Sequence, residues 1–342
     1  TPRPGLAALI GPRAELPPLD PVDLAARYRQ TDGRAAAAKP FAGDANVGDA
    51  RTFVVIRITA ANGPPPIETS VQTTLLAKSE HAYFYVDNAL GESTASIQAS
   101  ADAFESQVWP AVTGAFGTPP APGVDGEPRI VVLHADLGGV GGYVSSDDLY
   151  LKSVRPLSNE AEMIYLDSTI AAGTPTFTVV LAHEFQHLIH ERNDGDEDAW
   201  VNEGLSETAS GLVGGAISSI DSFEQRPATQ LNQWDLGGNL PHYGAGAAFF
   251  RYLAQRFGGD AALGAIAGEQ GDGPAGVDAF LRRNGSTFVD AFADWIAANV
   301  LNAADGRFAN PAPVDVSIDQ VLEAGGEAQG EAHQFGTDYY AL

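Results

Sequence analysis

The sequence predicts an α+β fold on three observations. Runs rich in β-branched and aromatic residues fall in the first half of the chain, which places a sheet there. Apolar residues recur at helical spacing through the middle and the last third. At 342 residues, with 44% hydrophobic content, the chain is long enough for a sizeable core arranged as two packed lobes.

Composition narrows what the chain acts on. The formal charge is −25, from 44 acidic and 19 basic residues spread along the sequence. Such a surface repels phosphates, which argues against nucleic acid or an anionic membrane as partner. No apolar run reaches about 18 residues, so no membrane span is expected. There is no cysteine, which excludes disulfides and thiolate metal sites. Any metal is therefore left to His, Asp or Glu.

The elements follow in order. Residues 1 to about 50 are rich in Pro, Ala and Gly and read as a leader lying across the surface, with a short helix near Asp20–Tyr28. Phe53–Ile58, Val71–Ala77 and His81–Val86 read as strands, the last two forming a hairpin. Ser93–Phe116 carries a helical period, with Ile97, Ala101, Phe104 and Val108 on one face. Pro110 limits or kinks that helix, and Gly117 ends it. Ile130–Leu133 and Glu162–Leu166 are further strands. Between them lies the glycine-rich stretch Gly138–Val144, which has no phosphate-loop helix behind it.

Thr174 and Pro175 suit the cap and first turn of a helix in which Phe177, Val180, Leu181, Phe185, Leu188 and Ile189 are apolar on several sides. A helix apolar nearly all round is a buried one. Asp194–Asp198 breaks it as an acidic loop, and a second helix runs from Trp200 to Val213. The last third is mostly helical, at Gly244–Phe257, Asp260–Ala267, Val277–Arg283 and from near Ser286 through Val300. Asn310–Pro313 is a loop, and the tail from Phe335 is aromatic, as though a further module follows.

The buried helix contains His183, Glu184 and His187 as H-E-x-x-H. Residues four apart share a helix face, so the two imidazoles can meet one zinc ion. Glu184 sits beside the first ligand, within reach of water rather than of the ion. A catalytic zinc takes three protein ligands and keeps one position open. Glu203, sixteen residues past His187, completes the set from the second helix, and Glu207 falls on the same face as a partner for a ligand imidazole. In such a site zinc lowers the pKa of water towards ~7 and Glu184 acts as general base. The developing oxyanion needs a donor, and Tyr243 or His242 is the candidate, just before the Gly244 helix. The alternatives are ordinary core histidines in the first helix and an aromatic helix cap at the second pair.

Other groups read more plainly. His190 sits at a helix end, near the dipole's negative pole. His81, His134 and His333 stand alone and read as structural. The acidic loop Asp194–Asp198 offers carboxylates to Ca²⁺ but lacks the EF-hand pattern, so a solvated loop is the simpler account.

At His183-Glu184-Phe185-Gln186-His187 and Asn202-Glu203-Gly204-Leu205-Ser206-Glu207 the chain resembles the gluzincin metallopeptidases, and its wording is most like the hyicolysin family. The resemblance implies a zincin-like two-lobe fold: a mixed sheet and the motif helix in an N-terminal lobe, then a mostly helical C-terminal lobe. It implies zinc ligands at His183, His187 and Glu203, general base at Glu184, a supporting carboxylate at Glu207, and an oxyanion donor across the cleft, which favours Tyr243. An edge strand, here Gly141–Val144, would bind peptide substrate in extended form. A secreted protein whose signal peptide has been removed is the accompanying expectation. The divisions are a leader at 1–50, a catalytic lobe at 51–215, a helical lobe at 216–305 and a tail at 306–342.

The sequence also departs from the pattern. The interval from His187 to Glu203 is shorter than in thermolysin-like members, and Glu207 stands where Asp is common. The G-x-M-E-N motif of the aminopeptidases is absent, which favours an endopeptidase over a zinc aminopeptidase. The metzincin pattern fails at His190 and Asn193. A catalytically silent peptidase-like binding module is the remaining rival, and the intact Glu184 speaks against it.

Overall fold

The structure is a computed structural model and describes residues 22, 25, 42–58, 65–234, 238–310, 314–316, 320–321 and 334–341. Val22 and Ala25 are helical, and Ala25 is buried in a small cluster with Val154. Residues 42–50 of the expected leader are also described and run into the first strand at Ala50; the rest of it and of its helix, like His333, lies outside the described residues.

The architecture is mixed α+β, built on one six-stranded sheet in the order β1-β2-β3-β4-β6-β5. Its strands are β1 Ala50–Arg57, β2 Ile67–Lys78, β3 Ala82–Asp87, β4 Ile130–Ala135, β5 Gly142–Tyr143 and β6 Met163–Asp167. The first three form an antiparallel meander with a bulge between Leu75 and Ala77. β3, β4 and β6 are parallel, and β5 returns antiparallel at the end of the sheet. The sheet curls so far that Ile56 N–H of β1 donates to the Tyr143 hydroxyl of β5 at 3.0 Å.

Period-two alternation sorts the strand side chains. Phe84, Val86, Val132, Ile164 and Leu166 face the helices, whereas Tyr83, Tyr85, Val131, Leu133 and Tyr165 face a second cluster on the opposite side. β2 begins at Ile67 rather than at Val71, because its first residues are largely exposed and lack the buried alternation that marks a strand in sequence.

The expected helix over 93–116 is a rod in three parts: α1 Thr94–Ala103, a π-helical turn Phe104–Val108, and α2 Trp109–Phe116. Pro110 has no N–H to donate to the preceding turn, and the ladder widens just before it. The motif helix α3 spans Pro175–Asn193, with the Thr174 hydroxyl accepting from Phe177 N–H. α4 Ala199–Leu212 follows after the acidic loop.

Beyond α4 come α5 Ser219–Glu224, α6 Leu240–Phe257, α7 Asp260–Ala267, α8 Pro274–Arg283 and α9 Phe288–Leu301. α5, with six residues, is too short to show a helical period in the sequence. α6 and α8 start earlier than their apolar patterns suggest, because Pro241 and Pro274 occupy their first turns. His242 and Tyr243 therefore lie inside α6, not ahead of it. α9 is capped by Thr287, which accepts from Asp290 N–H, rather than opening at Ser286.

The aromatic tail folds back: Phe335 packs edge-on against Phe288 and Phe292 of α9, with centroids 4.9 and 5.3 Å away. Gln320–Val321 and Tyr340–Ala341 form a short parallel pair. One apolar cluster runs from the helix-facing side of the sheet to α9 and crosses the expected boundary at 215–216 without a break.

Glu162, at the entrance to β6, is buried, and its two carboxylate oxygens accept from Val124 N–H at 3.0 and 3.1 Å. Burial pushes its pKa up to about 7 against the pull of that N–H. The folded chain thus takes up this proton before the unfolded chain does. Stability is expected to rise as pH falls from about 7 towards 4.5. Glu162→Gln should remove about 1–3 kcal/mol of that rise. Urea unfolding at pH 5 and pH 8 checks it, and an unchanged difference between the two would count against the assignment.

Candidate metal centre

The site is built where α3 and α4 lie side by side beneath β5. His183 and His187 are one turn apart on α3, and Glu203 comes from the first turns of α4. The Nε2 atoms of His183 and His187 lie 3.1 Å apart. Glu203 Oε2 is 3.2 Å from the first and 3.3 Å from the second. These three atoms form a nearly equilateral triangle of lone-pair donors. Tetrahedral zinc with bonds near 2.0–2.1 Å sets its ligand atoms about 3.3 Å apart, so the triangle has the size of one face of that tetrahedron. The donor set, two imidazoles and a carboxylate, also suits zinc.

The outer contacts fix the ring orientation. His187 Nδ1 lies 2.8 Å from Asn202 Oδ1 and 3.0 Å from Ser206 Oγ. An amide oxygen accepts only, so His187 Nδ1 carries a proton and Nε2 is the atom turned to the cluster. Ser206 in turn donates to the fully buried Gln186, within the motif itself. Glu207 Oε1 comes to 3.8 Å from His183 Nδ1, too long for a direct hydrogen bond, while its other oxygen accepts from Ser219 Oγ at 3.0 Å.

Electrostatics bind the pair. Burial opposes the ionisation of Glu203, but the rings of His187 and His183 outweigh it and hold this carboxyl well below the usual range. Burial likewise pulls His187 down, and the charge and hydrogen bond of Glu203 lift it above an ordinary histidine.

Glu184 is 5% exposed, and its Oε2 has no hydrogen-bond partner among the described residues. Burial, foremost, raises its pKa, with the two histidine rings pulling the other way. It lies against Gly142 of β5. A Cβ at Gly142 would sit 2.8 Å from Glu184 Oε1 and 2.8 Å from Tyr165 O, so only glycine fits between them.

Tyr243 reaches the cluster from α6. Its ring is 6.3 Å from that of His183 and packs edge-on against Trp234 at 4.7 Å. Burial, then the carboxylates of Glu203, Glu184 and Glu207, keep its hydroxyl protonated well above the ordinary range. His242, its neighbour, points elsewhere: its Nδ1 lies 3.1 Å from Gln230 O, and it lines neither cavity at the site.

The helix-end picture of His190 needs correction. The ring is 1% exposed, and burial holds its pKa down to about 4, so it is neutral and cannot pair as a cation with the helix dipole. His81 and His134 lie away from the histidine cluster and make contacts of their own. The first stacks on Trp109 at 3.7 Å with Nδ1 2.7 Å from Glu105, and the second lies 3.2 Å from Asp167 O.

Two cavities meet at the cluster. One, of about 1070 Å³, runs past Gly142, Thr174, Val180, Val213 and Leu240; the other, of about 250 Å³, passes Val144, Glu191 and Asn202. His183, Glu184, Gly142 and Tyr243 border both.

The structure thus brings together His183, Glu184, His187, Glu203 and Tyr243, holds Glu207 at one remove, and leaves His242 outside. Asn202, Ser206 and Gln186 were not anticipated. The signal available for the first two was their placement one turn apart on α4, flanking Glu203.

α4 and α6 approach through glycines. A Cβ on Gly204 would lie 2.8 Å from the Phe250 ring and 3.0 Å from the Gly246 carbonyl carbon, and one on Gly246 would lie 2.9 Å from Gly204 Cα. Gly204→Ala is expected to lower the unfolding free energy by about 1–3 kcal/mol through overpacking. Denaturant titration measures it, and a fully neutral effect would mean that the helices part without cost. No protein-family model matches the chain, and no curated protein matches its sequence.

Proposed function

We propose that this chain is a zinc-dependent endopeptidase of the gluzincin kind, most like the hyicolysin family, with a zincin-like two-lobe arrangement and a secreted setting. The observation that carries the reading is the triangle of His183 Nε2, His187 Nε2 and Glu203 Oε2 at 3.1–3.3 Å, with the carboxylate of Glu184 at its side. Three lone pairs turned on one point repel each other unless a cation or a proton sits between them.

Zinc held there would supply a Lewis acid that polarises the scissile carbonyl and acidifies water. The chain's own residues do the rest. Glu184 accepts a proton from the attacking water and returns it to the leaving amine. Its raised pKa and buried position bring its basicity closer to neutral pH. Tyr243, protonated at every working pH, donates to the oxyanion. Asn202 and Ser206 keep His187 in the ligating tautomer. β5, the end strand of the sheet, offers its outer edge to an extended substrate, and Gly142 lets that backbone pass close to Glu184.

Cavities on both sides of the cluster leave room for chain before and after the scissile bond. That favours an endopeptidase over an aminopeptidase, whose site closes where the amino terminus ends. A catalytically silent module would bind zinc without cleaving.

Elemental analysis with cleavage of an unbiased peptide mixture, with and without chelator, tests the reading. One zinc per chain and chelator-sensitive cleavage are expected. Zinc without cleavage of any peptide would leave only the binding module. Glu184→Gln should keep the metal and lower turnover by about 10²–10⁴-fold. Glu203→Ala should lose zinc on dialysis, and full retention would remove Glu203 from the ligand set. Tyr243→Phe should lower kcat by about 10²–10³-fold with little change in KM; an unchanged kcat would reassign the oxyanion donor.

A further inference from the structure

The acidic loop between α3 and α4 meets the loop that leads into α8. Asp194 and Asp196 come from the first loop and Asp272 from the second, and each turns a carboxylate oxygen to within 4.8 Å of the other two. Acidic residues gather on many anionic surfaces without a ligand. Here one of them is not on the surface: Asp194 is 7% exposed, and its buried Oδ2 meets no hydrogen-bond donor among the described residues. Burial, foremost, raises the pKa of Asp194, and the carboxyl group of Asp196, within hydrogen-bonding range, and the charge of Asp272 push the same way. A buried carboxylate oxygen beside two further carboxylates is costly unless a cation joins them.

The two loops are already fastened around this point. Gln270 Nε2 donates to Asn193 O at 3.0 Å, and Gly273 N–H donates to Glu197 Oε1 at 2.6 Å. Gly273, at φ +56°, lies so close to Asp198 that a Cβ would stand 2.0 Å from its Oδ2. The backbone geometry that aligns the three aspartates is thus held by contacts that do not involve them.

We propose that Asp194, Asp196 and Asp272 form a second metal site, separate from the histidine cluster, that binds calcium. All three donors are carboxylate oxygens, which suit a hard cation and not one that prefers nitrogen or sulfur. Calcium takes oxygen ligands at about 2.3–2.6 Å in loose geometry, so two opposed ligands span about 4.6–5.2 Å. Magnesium demands a tighter octahedron, which ligands from two separate loops are poorly placed to provide. A bound ion ties the segment between His187 and Glu203 to the start of α8. It therefore stiffens the connection that sets the spacing of the histidine cluster.

The test uses the whole chain with zinc kept saturating in every sample, so that the response is not that of the histidine cluster. Thermal unfolding is followed with no added divalent ion, with millimolar CaCl2 and with millimolar MgCl2, for the parent chain, Asp272→Asn and Asp196→Asn. Both substituted residues are exposed, so both variants should fold. Calcium is expected to raise the parent midpoint by about 3 °C or more, and magnesium by much less. Each variant should lose most of the calcium response, and calcium measured after gel filtration should fall from one equivalent towards none. Equal shifts with both salts, or an undiminished calcium response in both variants, would reduce the effect to screening of the −25 net charge and overturn the site. A parent midpoint indifferent to calcium that rises on acidification would overturn it too, since a shared proton would then relieve the aspartates.

Discussion

The site depends on how closely two backbones approach. α4 and α6 touch at Gly204 and Gly246, where a single added carbon on either side would collide with backbone or with the Phe250 ring. Glu203 is the residue before the first glycine, and Tyr243 lies three residues before the second. The close crossing is what brings an acid from one helix and a phenol from the other to the same pair of histidines. Aromatic packing holds it: Trp200 stacks on Phe250 at 5.6 Å, and Phe249 meets Trp295 and Phe288 edge-on at 5.3 and 5.8 Å. A second close contact acts two residues earlier on α6, where Gly244 presses on the backbone of Ser219, the residue that donates to Glu207.

Much of this was legible from residue spacing. H-E-x-x-H in a helix apolar on several sides implies two imidazoles facing inward. Glu203 and Glu207, four apart, imply a second helix turned the same way. The end-strand position of Gly142 agrees with the expectation for Gly141–Val144, and the start of α3 at Thr174 and Pro175 follows from cap chemistry alone. These features are local: each rests on residues within one or two turns, where periodicity and caps operate.

What was not legible depends on residues far apart in the chain. His190 carries the same side chain as His187 but is buried and borders neither cavity, and spacing alone cannot tell a buried neutral ring from a helix-end cation. His242 and Tyr243 are adjacent, and the early start of α6 at Leu240 sends one towards Gln230 and the other into the cleft. The π-helical turn before Pro110 and the six-residue α5 leave no period to detect. Asp272 stands seventy-six residues past Asp196, in a loop whose meeting with the first is decided by the packing of the last helices.

Burial orders the chemistry of the carboxylates around the histidines. Burial opposes the charge of both the half-buried Glu203 and the buried Glu184, yet their pKa values move in opposite directions. Glu203 lies directly against both rings, and their attraction exceeds the cost of desolvation. Glu184 faces the glycine edge of β5, where no donor among the described residues reaches its Oε2 and desolvation dominates. Two acids of the same length, on neighbouring helices, thereby differ in how readily they ionise. One is fixed as an anion suited to hold a cation; the other is kept basic enough to take a proton and acidic enough to give it back. On the proposed reading that division is the catalytic design, and it follows from which surface each carboxylate was folded against.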